Sequence, residues 1–203
     1  MPSNFSSLNR RQVMGGLAAF GAMALTPFRA LALSVGGAES LVTKLVDDIN
    51  KVIASGKSEQ GMYSDFERIF VRYADVPTIA RYALGNDGRS ASKAQIRAFT
   101  KAYQGYISRK YGSRFREFIG GKLEMQGARA VKSFVEVKTT AILKGQSPFE
   151  VTFLVSDRSG SDKFFNMFIE GVNMLLSERT EIGALLDRRG GDLDQLTKDL
   201  KSL

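Results

Sequence analysis

Apolar and polar positions change their period along this chain, and the changes divide it into elements. From Glu39 to about Ser55, Leu41, Val42, Leu45, Val46, Ile49, Val52 and Ile53 share one helical face, and Gly56 ends the helix. Met62, Phe66, Ile69, Phe70 and Tyr73 mark a second helix, with Ser64-x-x-Glu67 as a capping box near its start. Asp75-Val76-Pro77 reads as the start of a third, since Asp caps well and Pro suits the first turn. That helix runs from Thr78 to Leu84 and stops at Gly85. A longer one begins at Ser90 or Ser92 and reaches about Ile119, with Ile96, Phe99, Tyr103, Tyr106, Ile107, Tyr111, Phe115 and Phe118 as its apolar positions.

The period then becomes alternating. Leu123 and Met125 suggest a short strand, and Val131 to Leu143 a single strand of about 13 residues, long enough to curve. Phe149, Val151, Phe153 and Val155 form the next strand. Phe164, Phe165, Met167, Phe168 and Ile169 make a nearly continuous apolar run, the pattern of a strand covered on both faces. Glu170-Gly171 breaks that run, and Glu170 is placed to bind backbone amides at the start of the helix that follows. This helix extends to about Arg188, and a short amphipathic one carries Leu193, Leu196, Leu200 and Leu203. The order predicts an α+β fold: N-terminal and C-terminal helices packed on a small curved antiparallel sheet. One cover of the apolar strand is the chain's own helices. The other is either more protein or a bound apolar ligand.

The first residues stand apart. Arg10-Arg11 precede an apolar stretch from Val13 to about Phe28, and Ala30-Leu31-Ala32 has the small-x-small form of a signal-peptidase site. The predicted division is a cleaved export signal over residues 1–32 and a single domain over 33–203, with Ser34 to Ala38 as a small-residue leader. Asn9-Arg10-Arg11-Gln12-Val13-Met14 resembles a twin-arginine signal, with Val13 and Met14 where that signal usually has Phe and Leu. The general secretory route and a permanent N-terminal anchor are the alternatives. Loss of residues 1–32 removes Arg10, Arg11 and Arg29 and no acid, lowering the net charge from +8 to +5.

Composition narrows the chemistry. The 203 residues include no Cys, no His and no Trp. This removes catalytic triads, Cys nucleophiles, His bases and the usual zinc sites. The carboxylates form no evident pair: Asp47 and Asp48 point apart on a helix, and Asp75 reads as a cap. An enzyme is therefore not expected, and neither is a cofactor. The 20 Phe and Tyr residues are the strongest feature. Either they fill a solid core or they line a pocket, since pockets for apolar ligands have such walls. Mid-strand Ser133, Thr139 and Thr152 are candidates for its mouth.

Three stretches occur together in order: Phe70-x-x-Tyr73-Ala74-Asp75-Val76-x-x-Ile79-Ala80-Arg81-Tyr82-x-Leu84-Gly85, the Phe99 to Tyr111 helix with Tyr103 and Tyr111, and Ile169-Glu170-Gly171-Val172 followed by Arg179 and Gly190-Gly191-Asp192-Leu193. Together they resemble the family of periplasmic Mla-pathway components, also described as toluene-tolerance or ABC-transporter auxiliary proteins. The resemblance covers most of residues 33–203. The chain lacks the family's Trp, and Asn166 stands near the position of a common Asp.

The resemblance implies a soluble periplasmic carrier that holds a phospholipid by its acyl chains and maintains outer-membrane lipid asymmetry. It implies an outer-membrane lipoprotein complex and an inner-membrane MCE-domain protein of an ABC transporter as partners. It implies neither nucleic acid nor self-association, so a monomer is expected. The apolar faces nominate Val76, Ile79, Tyr103, Tyr106, Val135, Val137, Val151, Phe153, Met167, Ile169 and Val172 as lipid-binding residues. A different reading makes the protein an exported adaptor with a solid core and no lipid.

Overall fold

A computed structural model describes residues 33–112 and 118–203. The proposed export signal at residues 1–32 lies outside them, as does Phe115. Helices come first: α1 (Val35–Ile53), α2 (Glu59–Tyr73), α3 (Val76–Leu84), the single turn α4 (Asp87–Ser90) and α5 (Lys93–Gly112). Strands β1 (Lys122–Val131), β2 (Phe134–Ile142), β3 (Phe149–Ser156), β4 (Lys163–Ile169) and β5 (Val172–Asn173) follow. Helices α6 (Met174–Asp187) and α7 (Leu193–Asp199) close the chain. The strands form one antiparallel sheet in sequence order, so the α+β reading holds.

Caps set most helix starts. The side chains of Ser34, Ser58, Asp75, Asn173 and Asp192 accept backbone N–H bonds at the starts of α1, α2, α3, α6 and α7. Ser34 thus opens α1 at Val35, where the sequence suggested a loose leader. Ser58, and not Ser64, opens α2. Ser92 and Gln95 make a reciprocal capping box at α5: each backbone N–H donates to the other's side chain, at 3.0 and 3.2 Å.

The sheet departs from the sequence reading at β5, where Val172 and Asn173 pair with β4 before α6 begins, and at its first hairpin. The alternation from Val131 to Leu143 is not one strand. Val131 pairs with Phe134 across a tight turn at Lys132-Ser133, so β1 is ten residues long and β2 nine. Lys132 takes a positive φ of 51° there, a conformation in which glycine or asparagine is usual. No such residue marks the turn, so the alternation reads straight through it. Ser133 sits in the turn and accepts a hydrogen bond from Arg158.

The open edge of β1, and that of β4 where β5 does not reach, are both partly covered. Asn50 of α1 lies along β1: its amide accepts from Leu123 N–H at 3.0 Å and donates to Leu123 C=O at 3.2 Å, as a neighbouring strand would. On β4, Asp75 N–H donates to Phe164 C=O at 2.8 Å, and Ala74 forms a parallel bridge to Phe164. These bonds tie the α2–α3 corner to the sheet. Edge groups paired in this way cannot template another strand.

Candidate functional site

The helices do not cover the sheet evenly. Helix α1 packs across β1 and β2. Its stripe of Val42, Leu45, Val46, Ile49, Val52 and Ile53 is buried in the core shared with Val135, Val137 and Ala141. Over β3 and β4 the helices stand off, and a cavity of about 530 Å³ remains. That volume falls within the range of about 300–1,000 Å³ usual for small-molecule sites.

Each wall follows from the period of its element. Strand β3 contributes Phe149, Val151 and Phe153, the alternate positions on its inner face. In β4, Met167 and Ile169 lie opposite Phe153 and Val151 and share that wall. Phe66, Ile69 and Phe70 of α2 and Tyr103, Ile107 and Tyr111 of α5 recur at three- and four-residue spacing, each set on one helical face. Leu45 and Ile49 close the end under α1, and Leu175 and Glu178 of α6 the other side. The exposed lining residues Gln146, Glu170 and Val172, the last 55% exposed, mark the margin with solvent.

Of the eleven nominated residues, Ile79, Tyr103, Val151, Phe153, Met167, Ile169 and Val172 line the cavity. The other four do not. Val135 and Val137 are buried on β2, the part of the sheet that α1 covers. Val76 is buried at the first turn of α3, beside the Ala74 bridge to β4. Tyr106 is buried, with its hydroxyl donating to Glu181 on α6. The sequence reading also missed α1 and α2 as walls. The spacing of Phe66, Ile69 and Phe70 was a usable signal for α2, as that of Tyr103, Ile107 and Tyr111 was for the rest of the α5 wall. Thr139 and Thr152 are buried away from the cavity lining: Thr139 donates to Val151 C=O and Thr152 to the Glu150 carboxylate.

One wall is polar. Glu178 is 4% exposed, and its Oε1 accepts from Lys110 Nζ at 2.7 Å and Tyr111 OH at 2.5 Å. Lys110 also pairs with Glu181 and lies over the rings of Tyr106 and Tyr111. Burial, with the nearby carboxylates, pushes the Tyr106 and Tyr111 hydroxyls far up, so both stay protonated donors. Tyr103 is fully buried and stacks on Phe99, with ring centres 5.6 Å apart. Asn166, itself in the lining, braces the β4 wall: its Oδ1 accepts from Met167 N–H and Leu175 N–H at 2.8 and 3.0 Å, and its amide donates to Asn173. This work at the start of α6, expected of Glu170, falls to Asn166 and Asn173. Glu170 is instead exposed, at a φ of 49° in the turn.

The arrangement offers a sheltered volume with mainly apolar walls. Among the described residues no group of acidic side chains could hold a metal ion. No described helix is long and apolar enough to cross a membrane.

Comparison with known proteins adds to this geometry. The family model described as MlaC protein matches residues 39–202. Among solved structures, the chain is similar to the phospholipid-binding protein from Ralstonia solanacearum, which was determined in complex with a phospholipid. The match has a TM-score of 0.67 at 19% identity and covers 80% of this chain and 98% of that one. At that identity the likeness is one of fold.

Proposed function

The chain belongs to the MlaC family, and from that membership and its cavity we propose that it binds a phospholipid by the acyl chains and carries it across the periplasm. The cavity under β3 and β4 is the observation that carries this reading. A similar fold in Ralstonia solanacearum holds a phospholipid, which supports the choice of ligand. The adaptor reading needs a solid core, and the cavity weighs against it.

Burying a methylene is worth about 0.8 kcal/mol. Two acyl tails with about 30 methylenes therefore resist crossing water by roughly 20 kcal/mol. A wall of Phe, Tyr, Val and Ile offsets that cost without bond chemistry. A carrier of this kind is not an enzyme and takes no cofactor beyond its lipid. Its affinity must stay close to that of the membrane, or the lipid would never leave.

Direction must then come from partners. In this reading an outer-membrane lipoprotein complex and an inner-membrane MCE-domain protein of an ABC transporter exchange lipid with it. The protein is exported through residues 1–32 by the twin-arginine route and acts as a monomer over residues 33–203.

The test is mass spectrometry on an organic extract of the protein, purified from bacteria without residues 1–32. Stoichiometric phospholipid is expected. A blank extract from protein that also takes no lipid from vesicles would overturn the reading.

A further inference from the structure

Helices α3 and α6 have a second side. A groove of about 420 Å³ lies there, framed by Pro77, Arg81, Tyr82, Gly85, Arg89 and Arg179. No carboxylate lines it. Among the described residues, none of the three guanidiniums has an ion-pair partner. Three cations left together, with no acid among them, repel one another unless an anion joins them.

Arg179 is held in place there. Its guanidinium lies over the Tyr82 ring, 5.3 Å from the centroid. It also lies against Gly85, where an added Cβ would meet Nη2 at 3.1 Å and Cζ and Nε at 3.2 Å. Gly85 has φ 60° and ψ −130°, a backbone region that side chains resist. The run Arg81-Tyr82-x-Leu84-Gly85 thus supplies a ring and a bare backbone for a guanidinium arriving from α6. A guanidinium fixed in this way presents its planar fork at little entropic cost, and a carboxylate matches that fork.

The groove shares no lining residue with the cavity. Helix α3 gives Ile79 to the cavity and Arg81 to the groove, and α6 gives Glu178 to one and Arg179 to the other. An anion in the groove therefore comes from a second molecule. The groove's concavity suits a protruding acidic side chain better than a flat bilayer. Tyr and Arg are also the residue types that most often anchor protein interfaces. We propose that this groove is a docking site for an acidic protein surface, with Arg179 taking a carboxylate and Arg81 and Arg89 flanking it. The proposal adds a partner surface to the carrier reading, but its test involves no lipid transfer.

The experiment titrates the purified full-length chain into a labelled hexaglutamate peptide, with hexaglutamine as the control, and follows fluorescence anisotropy. The acidic peptide should bind at least about tenfold more tightly than the neutral one, and salt should weaken it. The variant R81Q/R89Q/R179Q should lose about tenfold or more. K132Q/K144Q/K201Q carries the same charge change away from the groove and should stay within about twofold. Circular dichroism establishes that both variants are folded. Equal loss in the two triple variants would reduce the effect to net charge and overturn the proposal, as would no loss in the arginine variant. Failure of hexaglutamate to bind would overturn it too. Sedimentation with phosphatidylglycerol vesicles that depends on the three arginines, without peptide binding, would replace the protein partner by a membrane surface.

Discussion

Two asparagines take over tasks usually left to the backbone. Asn50 continues the β1 ladder from a helix, and Asn166 joins β4 to the first turn of α6. Removing either amide leaves protein donors or acceptors without partners, which costs about 1–3 kcal/mol when they are buried. Asn50→Ala and Asn166→Ala should each lower stability by about that amount in urea unfolding. Only Asn166→Ala should also weaken lipid retention, because Met167 and Leu175 belong to the cavity wall. A third residue-scale effect is titratable. Tyr73 donates to Asp48 at 2.7 Å, and this bond, with Lys51 and Arg72 nearby, lowers the Asp48 pKa. A depressed carboxyl contributes stability above its unfolded pKa of about 4 and loses it as pH falls through the folded value. Tyr73→Phe should therefore narrow the stability gap between pH 7 and pH 3 in thermal melts, and an unchanged gap would show the bond to be without effect. None of these pairings could be read from the sequence. Asn50 and Leu123 are 73 positions apart, and nothing in composition or period links them.

At the scale of elements, the sheet separates legible signals from silent ones. Strands β3 and β4 and the turns that bound them follow from the alternation of β3, the apolar run of β4 and Gly145, Gly160 and Gly171, all at positive φ. The β1–β2 hairpin was hidden because its turn is Lys132-Ser133. The extent of the cavity was hidden for a different reason. Val137 and Phe153 are cross-strand neighbours on one face, both apolar, both buried, and only the second lines the cavity. What distinguishes them is which helix stands above, and period carries no record of that. The difference is measurable. Val151→Arg or Ile169→Asp should abolish lipid retention, read by extraction and mass spectrometry. Val137→Ala should cost about 1–3 kcal/mol of stability with retained lipid. Val137→Ala protein that folds but is empty would place the lipid elsewhere on the sheet.

At the scale of the whole molecule, a cavity is stability withheld. Walls that would otherwise meet each other wait for a ligand, and a ligand that binds only the folded state adds stability by mass action. Lipid-loaded protein should melt higher than protein stripped by organic extraction and refolded. At a free ligand concentration of one hundred times Kd the gain is about 2.7 kcal/mol. Filling the space covalently should do part of the same work. Val151→Phe should raise the melting temperature of stripped protein while reducing lipid uptake, and a fall in both would mean that the wall cannot accommodate the larger ring.

The order of elements also has a consequence in time. Of the described elements, helix α1 leaves the ribosome first, yet the strands it covers are completed only at Ile142, nearly ninety residues after its own end at Ile53. Until then its apolar stripe has only helices to meet. The strands, by contrast, pair with sequence neighbours and can close hairpin by hairpin as they emerge. Among the described elements, synthesis thus makes α1 the apolar surface that waits longest for its cover, and one that a nascent-chain chaperone would meet early. Stalled chains ending before Lys122 should bind a dye such as anilinonaphthalene sulfonate, and chains extended past Ile142 should shed it.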